Sequence, residues 1–259
     1  MKGIAETGVL ITGGCGDIGR AVGKRFLDAG ARVVLADILP LTRGRAVARD
    51  LDAKNAAYVR CDVTQSASVD LAIIEALKFL GRLDTVICNA GFVANCPFIE
   101  VTQEDWEKTL AVNLTGSFLT AQRAARIMLK NPRKAGDRRG TILFTGSWVQ
   151  HMPWPHGSSY CASKGGQVML TKVIAQELAS QGITAAIVAP GIVYAGLTKK
   201  IYDREKRFAK LVDQTVPLMR MSNAEEVAGS FLFLASDDGV YLTGATLLVD
   251  GGATLVRRE

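Results

Sequence analysis

Short apolar runs alternate along the chain with longer stretches of helical apolar spacing. Gly8–Thr12, Arg32–Ala36, Ala57–Arg60, Thr85–Cys88, Thr141–Thr145 and Thr184–Ala189 are rich in β-forming residues, and most end at glycine, asparagine or aspartate. Between them, Arg20–Ala29, Val69–Leu80, Thr102–Arg126 and a stretch from Ser158 to about Ser180 place apolar residues three and four apart, the period of a helix with one buried face. Strands that alternate with helices predict an α/β fold with a doubly wound parallel sheet, helices on both faces, and ligands at the carboxyl ends of the strands.

Length and composition narrow the class. With 259 residues, 48% of them hydrophobic, one large core is affordable, so residues 1–259 are expected to form a single domain. No apolar run reaches the eighteen or so residues of a membrane span. The N-terminus lacks a charged-then-apolar leader, and a cytoplasmic location is expected. Cys15, Cys61, Cys88, Cys96 and Cys161 are scattered without metal-ligand spacing. They read as reduced thiols rather than as a disulfide framework or a metal site. The net charge of +6 comes from small separated groups of Lys and Arg with acidic residues between several of them, so nucleic-acid binding is not expected. No period repeats along the chain.

The candidate chemistry centres on Ser158-Ser159-Tyr160-Cys161-Ala162-Ser163-Lys164. If this segment opens a helix, Tyr160 and Lys164 project from one face, a turn apart. A fixed ammonium stabilises a phenolate and lowers its pKa from about 10, which would make Tyr160 a proton donor and acceptor. Ser147, after the run Thr141–Thr145, offers a hydroxyl able to hold a substrate oxygen. Taken alone, the Tyr–Lys spacing occurs on many solvated helices, and Cys161 reads as an ordinary small helix residue.

A second cluster follows the first strand. Thr12-Gly13-Gly14-Cys15-Gly16-Asp17-Ile18-Gly19 forms a strand, glycine turn, helix sequence that lets backbone approach a pyrophosphate at a helix N-terminus. Asp17 either turns away to cap the helix or weakens phosphate binding. Asp37 ends the second strand, where a carboxylate can accept both hydrogen bonds of a ribose diol and repel a 2′-phosphate. The positions that would otherwise carry a basic partner hold Gly14, Cys15, Gly16 and Ile38. NAD is therefore the expected cofactor, with Arg43 the one residue able to upset the choice.

Together, Ser147, Tyr160 and Lys164 resemble the active site of the short-chain dehydrogenase/reductase family, and the glycine loop resembles its Thr-Gly-x-x-x-Gly-x-Gly motif with Asp17 in place of the middle glycine. The resemblance extends from Gly8 to about Gly252 and implies a Rossmann-type sheet. It implies that Asp62 and Val63 contact adenine, that Asn89, Ala90 and Gly91 pass close to the cofactor, and that Pro190 and Val193 lie beside the nicotinamide. Here Cys88 precedes Asn89 where a second asparagine is usual, and Ala195 stands where a threonine is usual, with Thr198 a possible substitute. Asn113, in Ala111-Val112-Asn113-Leu114, matches the family's active-site asparagine, which links the lysine to solvent through a water. The segment of about 192–221 would form a lid, and Glu225–Ala235 and Leu242–Gly252, which resemble the family's last helix and last strand, would join a homotetramer or homodimer.

The implied activity is an NAD-dependent interconversion of a secondary alcohol and a carbonyl. Tyr160 would move the proton, Lys164 would hold the ribose, and Ser147 would bind the substrate oxygen. Trp148, His151 and Trp154, in the loop between Ser147 and Tyr160, are expected to line the substrate site and to suit a sugar, sugar derivative or polyol. Lys199, Lys200, Arg257 or Arg258 could meet an acidic group. The rival enzyme reading is reduction of a 3-oxoacyl thioester on an acyl carrier protein, and the rival from another class is an NAD-binding sensor or scaffold protein. Retention of Asn113, Ser147, Tyr160 and Lys164 together counts against the latter, because a binding module needs no proton relay.

Overall fold

Seven parallel strands lie in the order β3-β2-β1-β4-β5-β6-β7. They are β1 Gly8–Thr12, β2 Arg32–Asp37, β3 Ala56–Arg60, β4 Thr85–Cys88, β5 Gly140–Thr145, β6 Ile183–Pro190 and β7 Thr246–Val249. This computed structural model describes residues 1–204 and 206–255, without the side chains of 135, 197, 200, 201 and 206–209. Arg257 and Arg258, and the side chain of Lys200, lie outside the described residues.

Every residue of β1, β4 and β5 is buried, as a central parallel sheet covered on both faces requires. Successive side chains point to opposite faces, and two cores result. On one face Val9, Ile11, Val33 and Leu35 pack with Val22 and Phe26 of α1 (Asp17–Asp28), Ala48 of α2 (Leu41–Leu51) and Phe231 of α9 (Ala224–Ala235). On the other, Leu10, Val34, Val86 and Ile142 pack with Val69 and Ile73 of α3 (Ser66–Leu80), Ala124 and Met128 of α5 (Gly116–Met128) and Ala175 of α6 (Ser158–Leu178). A third, smaller cluster joins Trp148, Val149, Ile192, Val212, Val216 and Ala253. Val212 belongs to α8 (Lys206–Thr215), which with α7 (Gly196–Arg204) falls in the segment of about 192–221.

Strand order reverses between β1 and β4, whose paired residues include Ile11 and Ile87. The loops after them, Gly13–Gly16 and Asn89–Gly91, therefore face each other across the crevice where ligands bind in such sheets.

Two features differ from the sequence expectation. The helix expected over Thr102–Arg126 forms but is not α throughout: α4 (Gln103–Leu110) starts at the Thr102 cap, whose hydroxyl accepts the Asp105 N–H at 3.1 Å, and it runs through a π turn over Ala111–Thr115 into α5. An inserted π turn adds one residue to the turn and re-aims the side chains around it; Asn113 sits at its centre. Helix α2 was not anticipated. Its sequence is dominated by charge, and it buries only Gly44 and Ala48.

Candidate active site

The carboxyl ends of β1, β2, β4, β5 and β6 open onto a cleft of about 870 Å³. Its lining includes Gly13, Gly16, Asp17, Ile18, Gly19, Asp37, Ile38, Asp62, Val63, Asn89, Ala90, Gly91, Ser147, Tyr160, Lys164, Pro190 and Val193. Of the residues expected at the cofactor, only Cys15 is off the lining. Its main-chain N–H donates to Oδ2 of Asp37 at 3.0 Å, while burial, reinforced by the Asp37 charge, pushes its thiol up to about 12.

The glycine loop is drawn in tightly. Gly13 has φ of +60°, and a Cβ there would lie 2.8 Å from the Ala90 Cα; one on Gly19 would lie 2.4 Å from the Gly13 carbonyl oxygen. Only glycine fits at either place, and the turn brings the N-terminus of α1 to the cleft. Asn89 locks this arrangement. Its Nδ2 donates to the Thr12 and Gly13 carbonyls at 3.1 and 3.0 Å, and its Oδ1 accepts the Thr145 hydroxyl at 3.0 Å. The ends of β1, β4 and β5 are thus tied by one side chain.

The cap expected of Asp17 is not what forms. Gly16 occupies the N-cap without a side-chain bond, and Asp17 is the first helical residue. Its carboxylate accepts the Gly196 N–H at 2.8 Å and pairs with Arg20 at 2.8 Å. The Gly196 bond, with help from Arg20, holds its pKa below the ordinary value despite partial burial. Arg43 is exposed and does not line the cleft.

The proton-transfer candidates converge at the end of β5. Ser147 caps a short 3₁₀ turn over Trp148–Gln150, reciprocally with Gln150, and is buried. Its hydroxyl accepts the Val149 N–H at 3.5 Å, and its influence on the Tyr160 phenol is to lower the phenol's pKa. Lys164 is 3% exposed, and its Nζ stands 5.5 Å from the Tyr160 ring centroid. That ammonium donates to the Thr145 carbonyl at 2.6 Å and to Gln167 Oε1 at 3.1 Å. Burial pushes its pKa down to about 7. Burial also raises the Tyr160 pKa above 10.0, opposed by the Ser147 hydroxyl. The expected lowering by Lys164 is therefore not seen here: loss of water around the phenol outweighs it, and the ammonium is turned toward β5 and Gln167.

Asn113 is wholly buried. Its Oδ1 accepts the Phe92 N–H at 2.7 Å, and its Nδ2 donates to the Phe92 carbonyl at 2.9 Å and to Ser163 at 3.0 Å. It pins the loop after β4 to the helix that carries Tyr160 and Lys164. Val193 pairs with Ser222 in an isolated bridge, and Thr198 joins Ala195 on the lining.

Trp148, His151 and Trp154 are not on the lining. Trp148 is 6% exposed and packs on Trp154 with ring centroids 5.3 Å apart, in the third cluster. His151 is exposed, with Nε2 beside Gln150 Nε2 at 3.3 Å. Lys199 lies over the Tyr194 ring at 5.2 Å. Sequence reasoning passed over Lys108, on the lining and 4.5 Å from the Phe92 ring centroid, and over Gln167. The signal for Gln167 was available: it is a polar residue on the same helical stripe as Tyr160 and Lys164.

The cleft's shape, its glycine turn and its terminal carboxylate fit a dinucleotide, and the Ser147–Tyr160–Lys164 arrangement fits proton exchange with a bound alcohol or carbonyl. Known proteins resemble the chain along most of its length. Residues 15–254 match the family model described as enoyl-(acyl carrier protein) reductase. A crystal structure of a short-chain type dehydrogenase/reductase from Mycobacterium marinum superposes with a TM-score of 0.88 at 34% identity, over 98% of both chains. The chain belongs to the short-chain dehydrogenase/reductase family and is an oxidoreductase. It is 34% identical to the glucose 1-dehydrogenase of Gluconobacter oxydans, over 95% of this chain and 91% of that one. It is 35% identical to the 3-oxoacyl-[acyl-carrier-protein] reductase MabA of Mycobacterium tuberculosis, over 94% and 91%. Among the described residues no helix is long and apolar enough to cross a membrane.

Proposed function

We propose that the protein is an NAD(H)-dependent dehydrogenase of a sugar, sugar derivative or polyol. The observation that carries the reaction is the hydroxyl pair Ser147–Tyr160 beside the buried Lys164 at the inner end of the cleft. Nicotinamide, when bound, takes up or gives the hydride. Ser147 holds the substrate oxygen, Tyr160 exchanges its proton, and Lys164 supplies the positive charge that steadies the phenolate and reaches the ribose.

Support for NAD comes from Asp37 on the lining with no basic side chain at Ile38 or in the glycine loop. The Cys15 N–H fixes the carboxylate there, and its charge would oppose a 2′-phosphate. Support for the substrate class comes from the same residue and from the glucose 1-dehydrogenase relative, because the rival thioester reduction usually goes with NADP. The polar lining at Thr145, Ser147 and Thr198 suits a hydroxyl-rich molecule. MabA keeps 3-oxoacyl reduction as the second reading.

The test is a screen of NAD⁺ reduction over sugars, polyols, hydroxy acids, steroids and simple secondary alcohols, beside a reduction screen with acetoacetyl thioesters. Turnover of a polyhydroxylated compound with NAD⁺ is expected. Efficient turnover of the thioester alone would replace the substrate assignment and leave the catalytic one in place. A homodimer or homotetramer in the cytoplasm completes the reading. Exposed Phe118 on α5 and exposed Met169 and Val173 on α6 give it an apolar face, and β7 is a half-buried edge strand. Sedimentation as a monomer at micromolar concentration would contradict that part.

A further inference from the structure

A closed hydrogen-bond circuit lies behind the catalytic lysine. Gln167 is wholly buried on α6, one turn beyond Lys164. Its Oε1 accepts from the Lys164 ammonium at 3.1 Å. Its Nε2 donates to the Asn113 main-chain carbonyl at 2.8 Å and to the Ser117 hydroxyl at 2.9 Å. Ser117 in turn donates to the same Asn113 carbonyl at 2.6 Å. These partners fix the amide's orientation: turned over, it would set its oxygen against a carbonyl and its NH₂ against an ammonium. Two of the lysine's three donors are taken, one by Gln167 and one by the Thr145 carbonyl, which leaves the third for the cleft that Lys164 lines.

We propose that Gln167 is a positioning residue of the catalytic centre, its buried amide holding the Lys164 ammonium between the end of β5 and the π turn at Asn113. The proposal rests on the reading of Lys164 as the charged partner of Tyr160. The circuit gives the π turn a function: it presents the Asn113 carbonyl sideways, where a side chain of α6 can reach it, while the Asn113 side chain holds Phe92. An aliphatic residue at 167 would leave both the ammonium and that carbonyl one partner short in a dry interior, where such a loss is costly.

The groups around the lysine are otherwise neutral. Tyr160 faces it from its own helix, Thr145 from β5, and Asn113 and Ser117 from the π turn and α5. The Cys88 thiol of β4, against the Ser117 carbonyl, is held protonated by burial. Among the described residues no carboxylate contributes to the lysine's shift. An oxygen that accepts from the ammonium favours its charged form, so removing it lowers the lysine pKa and, with less positive charge beside it, raises that of Tyr160.

The full-length protein with ¹³C-labelled lysine side chains is titrated by NMR, and the Lys164 signal is assigned by its loss in Lys164→Met. The wild-type lysine is expected to titrate near 7. In Gln167→Met the midpoint should fall by about one unit or more, and in Gln167→Glu, which keeps an acceptor and adds a charge, it should rise. The rising limb of alcohol oxidation against pH should move to higher pH in Gln167→Met. Unchanged lysine midpoints in folded variants would overturn the proposal. If Gln167→Met does not fold, the upward shift in Gln167→Glu decides alone. Should Tyr160→Phe keep full activity, the reading of the tyrosine falls instead, and the lysine titration still decides the role of Gln167.

Discussion

The Asp17 carboxylate accepts a hydrogen bond of 2.8 Å from the Gly196 N–H, joining the N-terminus of α1 to the first residue of α7. Where the family places a glycine, this chain puts a negative charge on the lining of the cleft, partly balanced by Arg20. Asp17→Asn keeps an acceptor for Gly196 and removes the charge. It is expected to bind NADH about two- to tenfold more tightly at low salt, with the gain shrinking as salt screens the pyrophosphate. Fluorescence titration at two ionic strengths measures this; equal affinity in both proteins would place the carboxylate out of reach of the cofactor's charge.

Asp37 is held by the Cys15 N–H rather than by a neighbouring cation. Asp37→Ser removes the repulsion felt by a 2′-phosphate and one partner of the ribose diol. The ratio of kcat/KM for NADP⁺ to that for NAD⁺ should rise by about 100-fold or more. A wild-type enzyme that uses both cofactors equally would refute the premise, whatever the variant does.

The tryptophans predict stability rather than affinity. Trp148 is buried against Trp154, so Trp148→Ala should cost about 3–5 kcal/mol in chemical denaturation. His151→Ala, at an exposed position off the cleft, should leave substrate KM within twofold or so, as for most exposed substitutions. A large rise in KM for His151→Ala would return that residue to the substrate site.

What the sequence made legible was whatever rests on local pattern. The run Gly8–Thr12 is β1 to the residue, and Thr85–Cys88 is β4, because central strands of a parallel sheet are continuous apolar runs ended by turn residues. The alignment of Tyr160 with Lys164 followed from helical spacing alone. Three features were hidden for physical reasons. The π turn at Asn113 leaves no periodicity of its own. The partner that draws Asp17 away from capping lies in α7, far along the chain. Trp148 and Trp154 pack in one cluster with Val212 of α8 and Val216 just after it, partners that no feature of the loop itself records.

Lys164 should leave its mark on folding. Its pKa is depressed from 10.5 to about 7 by burial, so between those values the unfolded chain binds a proton that the folded chain releases. Stability from this group must then rise with pH from about 7 to 10.5 and stay flat below, since ∂ΔG/∂pH follows the excess protons of the unfolded state. Lys164→Met should lack that rise. Urea denaturation at a series of pH values checks it, and identical slopes in the two proteins would mean that the lysine is solvated.

Tyr160 remains the centre of the account, and its removal is the most direct measurement. Tyr160→Phe keeps the ring 5.5 Å from the Lys164 ammonium and deletes only the phenol hydroxyl. With the substrate found by the NAD⁺ screen, kcat should fall by about 10²–10⁴-fold, the usual contribution of a positioned proton donor, while NADH still quenches or enhances fluorescence with a near wild-type Kd. Substantial residual turnover in the folded variant would show that another group transfers the proton and would contradict the account.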